Sequence, residues 1–149
     1  GLDYHLMDSV FMEDYQRYGA FNLSYLPINF YYQYLAYPFP LTRETFMGGS
    51  LFLLSPVFFA AFGGLITGWR RPLVWCLVTT ILAVNVPILL LMGTGWVQFG
   101  PRYTLDFTLP LLLLTSFGVT KWPNWVLLLL TLISIAHYLA GTCILMTLW

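Results

Sequence analysis

Charge is scarce in this chain of 149 residues. Charged side chains make up 8% of it, and six basic and six acidic residues balance to a formal net charge of zero. A soluble domain usually carries about 25% charged residues, so this composition argues against the soluble class. The basic residues are scattered along the chain rather than clustered, so the positive surface that binds nucleic acid is lacking. We therefore expect no nucleic-acid partner.

Side chains that bind metals or act as nucleophiles are also few. The chain has two cysteines and two histidines. They form no Cys/His cluster, and the sequence contains no Ser–His–Asp order and no glycine-rich phosphate loop. We therefore predict no catalytic residue and no metal site of the kinds found in soluble enzymes.

Apolar residues are correspondingly abundant in the chain. Hydrophobic residues make up 59% of the chain, and its mean hydropathy is +0.77. A membrane core about 30 Å thick needs roughly 20 helical residues to cross it. We predict an all-α, polytopic membrane protein with about four transmembrane helices in a domain at 47–149. The predicted spans are approximately 47–68, 73–92, 101–120 and 125–148.

Basic residues between the predicted spans indicate an orientation. Arg70 and Arg71 lie between the first two spans, and Lys121 lies between the last two. Because Lys and Arg near span ends are retained in the cytoplasm, both links should face it. We therefore expect both termini on the non-cytoplasmic side, with residues 1–46 as an external segment.

Within that external segment, "LPINFYYQYLAYPFP" at 26–40 is dense in aromatic residues. It is too short to span a membrane and too aromatic for a free linker. We interpret it as an interfacial or re-entrant helix on the outer leaflet.

Small residues recur at spacing four in the first predicted span, at Ala60, Gly64 and Gly68. Such a stripe lets another helix backbone approach closely, so we assign it to helix packing. Four spans with exposed small-residue faces would pack better against further helices. We therefore expect other transmembrane subunits as partners, or further helices upstream, besides membrane lipids.

The stretch "GWVQFGPRYTLDFTLPLLLL" at 95–114 carries the most distinctive polar residues. Gly100 permits a turn, Pro101 suits a first helical position, and Arg102 and Asp106 at i and i+4 could pair on one helix face. In one interpretation, Arg102 reaches lipid phosphates and Asp106 only neutralises it. In the other, the stretch forms an outward-facing site for an anionic headgroup, such as the phosphate of a lipid carrier. The residues of that candidate site are Arg102, Gln98, Trp96, Tyr103 and Asp106.

Three stretches together resemble the late transmembrane region of large bacterial membrane proteins related to the glycosyltransferase-C superfamily. They are "YGAFNLSYLPINFYYQYLAYPFP", "GGSLFLLSPVFF" and "GWVQFGPRYTLDFTLPLLLL". The resemblance implies a bacterial inner-membrane location and a scaffold from enzymes that use polyprenyl-phosphate sugars. Active members carry a catalytic acidic residue in an early external loop, and no residue of this chain occupies that position.

Two functions follow from this resemblance. The leading hypothesis is a non-catalytic integral membrane subunit with a glycosyltransferase-like scaffold, which has a structural or accessory role in a larger membrane complex. The alternative is the C-terminal part of a glycosyltransferase that uses lipid-linked sugars, with Arg102 holding a lipid phosphate.

His137 supports a further alternative because it lies near the midpoint of the fourth predicted span, at a depth similar to that of Asn85. An ionisable group at this depth is costly. A neutral His137 could share a hydrogen bond with Asn85 or a nearby hydroxyl. It could instead ligate the metal of a haem or chlorophyll-type pigment, which would make the chain a pigment- or haem-binding subunit.

Overall fold

A computed structural model of the chain describes residues 13–40, 47–92, 98–120 and 122–148, and these residues are almost entirely helical. The predicted all-α class is confirmed. Residues 13–18 are α-helical. The α-helices that follow are α1 (Leu26–Phe30), α2 (Leu51–Leu54), α3 (Ala60–Gly68), α4 (Pro72–Leu90), α5 (Thr108–Val119) and α6 (Asn124–Leu148). The 3₁₀ helices are Leu23–Tyr25, Pro56–Phe59 and Arg102–Phe107, and Tyr31–Leu35 forms a π-helical turn. Two short strands, β1 (Met47–Gly48) and β2 (Gln98–Phe99), pair in parallel, with two residues from each.

Two helices among the described residues are long and apolar enough to cross a membrane. They are α4, with 19 residues, and the stretch Asn124–Thr147 of α6, with 24 residues. The core helix of a soluble protein has the same length and composition, but most of it is buried. Only 22% of the α4 window and 6% of the α6 window are buried. Neither helix therefore has the burial of a soluble core helix.

The other two predicted spans are helical but divided. In the 47–68 stretch, α2 ends at Leu54, and Ser55 leaves the helical conformation with φ −131° and ψ 71°. Pro56 explains this break, because proline has no N–H and disfavours the helical conformation of the residue before it. In the 101–120 stretch, a 3₁₀ helix precedes α5. The structure thus has two continuous helices of spanning length where the sequence predicts four.

The closest helix contact joins α3 to α5. A Cβ atom on Gly118 would overlap the carbonyl oxygen of Ala60, and one on Gly64 would overlap the carbonyl oxygen of Leu114. Gly68, the last small residue of the predicted stripe, instead lies against Val74 of α4. The small-residue stripe therefore packs within this chain.

The aromatic segment runs beside the end of α4. The Asn29 side-chain amide donates to the carbonyl oxygens of Leu89 at 2.9 Å and Leu91 at 2.8 Å, at the end of the helix, where carbonyls lack helical partners. Four residues later, Gln33 donates to Asn85 Oδ1 at 2.7 Å. The segment is helical only as far as Leu35 and is extended from Ala36.

The N-terminal end of this segment is held by a buried tyrosine. The Tyr25 hydroxyl donates to the carbonyl oxygen of Gly19 at 2.8 Å and lies 3.1 Å from that of Asp14. Burial raises the pKa of Tyr25 above its ordinary value, and the charge of Asp14 adds to the effect. Tyr25 therefore stays a neutral donor at physiological pH.

Candidate functional site

A tight turn places Arg102 at the surface. Gly100 has φ +81° and is buried against the ring of Tyr138, so glycine suits this turn in both conformation and size. The 3₁₀ helix Arg102–Phe107 follows. Thr104 stabilises the start of this 3₁₀ helix, because its hydroxyl donates to the carbonyl oxygen of Pro101 at 2.6 Å.

Arg102 and Asp106 do not pair in the structure. A 3₁₀ helix has 3.0 residues per turn, so residues four apart point about 120° away from each other. Both side chains are exposed, and within the described part of the chain no ion pair joins them. The Arg102 guanidinium instead lies 6.0 Å from the ring centroid of Tyr103, within the range of a cation–π contact. The positive charge of Arg102 is therefore not neutralised by Asp106.

Two members of the candidate site, Trp96 and Gln98, cannot be placed against Arg102 by their side chains. Trp96 falls outside the described residues, and only the backbone of Gln98, in β2, is described. Tyr103 is beside Arg102. The structure therefore brings together Arg102 and Tyr103 of the five predicted residues, and their group with Trp96 and Gln98 stays a prediction.

Arg102 lines a cleft of about 310 Å³ between the 3₁₀ helix and α6. Leu51 and Phe58, both buried, belong to the lining, and Tyr138 contributes from α6. The lining is mostly apolar, and Arg102, which is exposed, is the one charged residue among the described residues that form it. Such a cleft can hold a molecule that has an anionic group and a hydrocarbon part. The sequence did not predict Phe58 and Tyr138 here, because they are distant from Arg102 along the chain.

His137 and Asn85 have separate partners. His137 Nδ1 lies 2.8 Å from the carbonyl oxygen of Ile133, and Nε2 lies 3.0 Å from the hydroxyl of Tyr37. A carbonyl only accepts, so Nδ1 carries a proton, and in the neutral tautomer Nε2 accepts from the Tyr37 hydroxyl. Asn85 accepts from Gln33 instead. Of the two predicted partners for His137, the nearby hydroxyl is therefore the one present.

Tyr37 belongs to a group of aromatic residues that packs against α6. Its ring and that of Phe39 lie 5.9 Å and 6.1 Å from the His137 ring, and Phe99 contacts Tyr138 at 5.7 Å. A metal at Nε2 would have to displace the Tyr37 hydroxyl. Within the described ranges, no group of three or more His, Cys, Asp or Glu residues could hold a metal ion.

Comparisons with protein-family models, with curated proteins and with solved structures found no match to this chain. The resemblance to glycosyltransferase-C proteins therefore stays a prediction from the quoted stretches.

Proposed function

We propose that this chain is a non-catalytic integral membrane unit that holds an anionic lipid headgroup at Arg102. It would serve as a structural or accessory subunit of a larger membrane complex. The observation that carries the proposal is the placement of Arg102, which lies at an apolar cleft without a neutralising contact from Asp106.

The distribution of side chains supports the membrane part of the proposal. Large apolar residues are exposed on the helices, such as Ile66 at 74% and Leu128 at 61%, whereas Asn29 is 2% exposed. In water this arrangement would be unfavourable, because apolar surface would be hydrated while amides are buried. In lipid it is favourable, because polar groups must find partners inside the protein.

The cleft supports the headgroup part. Guanidinium and phosphate form charge-assisted hydrogen bonds, and the apolar lining suits the hydrocarbon next to a phosphate. One Arg near an anionic membrane surface contributes about 1 kcal/mol, which is roughly a fivefold preference.

The accessory role rests on the exposed faces of α4 and α6. The α6 side chains Leu132 and Leu139 are 52% and 62% exposed. Lipid chains or helices of partner subunits would cover them. The glycosyltransferase-like scaffold and the C-terminal transferase part rest on the sequence resemblance. The pigment alternative is less favoured, because Nε2 of His137 already accepts from Tyr37.

A lipid-competition measurement tests the headgroup site. The purified chain would be offered equal amounts of phosphatidylglycerol and phosphatidylcholine, and the retained lipids would be counted by native mass spectrometry. We expect phosphatidylglycerol to be retained about fivefold more and Arg102→Gln to remove the preference. The matched control is Arg70→Gln, which removes another exposed charge, from the α3–α4 link. If Arg102→Gln and Arg70→Gln behaved alike, the headgroup site would be refuted.

A further inference from the structure

A second cleft, of about 380 Å³, lies between the 3₁₀ helix Pro56–Phe59 and α6. Ser55 and Phe58 in its lining are buried, with exposed fractions of 8% each. The α6 residues in its lining are exposed, as Ile135 and Leu139 are, except for the half-buried Ser134. The cleft therefore has a buried floor and an apolar rim that faces the surroundings of α6.

The second cleft adjoins the Arg102 cleft, because Phe58 and Tyr138 line both. Its lining extends along α6 from Thr131 to Thr142. These residues are about 16 Å apart along the helix axis, at 1.5 Å per residue. A molecule in the Arg102 cleft could therefore extend past Phe58 and Tyr138 along α6, and the lining suits a hydrocarbon chain.

Ser55 adds a polar feature to this apolar lining. Its backbone N–H donates to Leu51 at 3.0 Å, but its hydroxyl has no hydrogen-bond partner among the described residues. The hydroxyl of Ser134, in the same cleft, donates to the carbonyl oxygen of Leu130 at 2.9 Å. A buried hydroxyl without a partner is unfavourable. Ser55 is therefore available to donate to an acceptor that enters the cleft.

We propose that the second cleft binds an acyl chain of the lipid whose phosphate lies at Arg102, and that the ester carbonyl of this chain accepts a hydrogen bond from Ser55. The inference rests on the proposed headgroup site and narrows its ligand to a diacyl glycerophospholipid. An acyl ester supplies the acceptor that Ser55 lacks. An ether-linked chain of equal length has no carbonyl, so it lacks the acceptor that the proposal assigns to Ser55.

The test compares two lipids that differ only in this linkage. Diacyl phosphatidylglycerol and its dialkyl-ether analogue would compete for the purified chain, with retained lipid counted by native mass spectrometry. We expect about a fivefold preference for the ester lipid, since a hydrogen bond contributes about 1 kcal/mol. Ser55→Ala should abolish this preference, and Ser55→Thr, which keeps the hydroxyl, should retain it. The matched control is Ser134→Ala, which removes an already bonded hydroxyl from the same cleft.

The outcomes separate the two proposals. Equal retention of ester and ether lipids by the unmodified chain, or an ester preference that survives in Ser55→Ala, would overturn the acyl site. In both cases the preference for phosphatidylglycerol over phosphatidylcholine would be unchanged. Loss of that charge preference in the unmodified chain would instead overturn the headgroup site.

Discussion

The side-chain amide of Gln33 donates a hydrogen bond to Asn85 Oδ1 over 2.7 Å, and this bond joins the aromatic segment to α4. Gln33 is 6% exposed and Asn85 is 8% exposed. The apolar side chains of Ile28 and Leu35, on the same segment, are more than half exposed. The polar face of the segment is thus inside and its apolar face is outside.

This hydrogen bond should be measurable as a coupling between the two positions. Gln33→Met or Asn85→Leu alone removes one partner and leaves the other amide buried, which we expect to lower the free energy of unfolding by about 1 to 3 kcal/mol. The double variant should lose less than the sum of the two, by about 0.6 to 1.7 kcal/mol. Titration with sodium dodecyl sulfate in mixed micelles would measure the free energy of unfolding of the unmodified chain, the two single variants and the double variant. Strict additivity would contradict the assigned bond.

The contact between α3 and α5 makes a prediction for two glycines. A Cβ on Gly118 would overlap the Ala60 carbonyl, whereas a Cβ on Gly63 would lie at an ordinary 3.6 Å from the Gly118 Cα. Gly118→Ala should therefore lower the free energy of unfolding by about 1 to 3 kcal/mol, because the helices must separate. Gly63→Ala is the control and should have little effect, since alanine fits there and favours the helix. Equal effects of the two substitutions would show that the helices are not this close.

The contacts of His137 favour one of the two tautomers of its neutral ring. Its Nδ1 donates to Ile133 and its Nε2 accepts from Tyr37. Nitrogen-15 NMR of the labelled imidazole should therefore show a protonated Nδ1 and an unprotonated Nε2. Tyr37→Phe removes the hydroxyl that contacts Nε2 and should shift the Nε2 resonance, whereas Tyr31→Phe, at a tyrosine whose ring contacts Tyr32 instead, should not. A protonated Nε2 in the neutral ring would contradict the assigned contacts.

The two long helices could be predicted from the sequence, whereas the breaks within the other two apolar stretches could not. The continuous apolar runs of α4 and α6 extend over the length that a membrane requires, and their predicted ends lie within two residues of the observed ones. In the first predicted span, the apolar run predicts one continuous helix, but Pro56 ends α2 at Leu54. In the third, Pro110 lies in the first turn of α5, where its missing N–H is tolerated. The prolines were visible in the sequence, but hydropathy alone did not show that they divide these runs.

The candidate site was less predictable because it depends on local winding and on distant contacts. The spacing of Arg102 and Asp106 suggests a pair only if the helix is α-helical, and the 3₁₀ winding separates them. Gln33, the hydrogen-bond partner of Asn85, lies 52 residues from it along the chain. A signal for it existed, since Asn29 and Gln33 are two amides at helical spacing in an otherwise aromatic run. Without knowledge of the packing, that signal did not name their partners.

The central claim, that the apolar surface faces lipid, is tested most directly by the environment of spin labels on α6 and on the aromatic segment. Cys76 and Cys143 would first be replaced by alanine, and single labels would then be placed at Leu132, at Ile28 and at Arg70. We predict that labels at Leu132 and Ile28 collide with oxygen, which partitions into lipid, and are shielded from a water-soluble nickel complex. The label at Arg70, in the exposed link, should show the opposite pattern. Strong collision of the nickel complex with the Leu132 label in reconstituted membranes would contradict the membrane-embedded account.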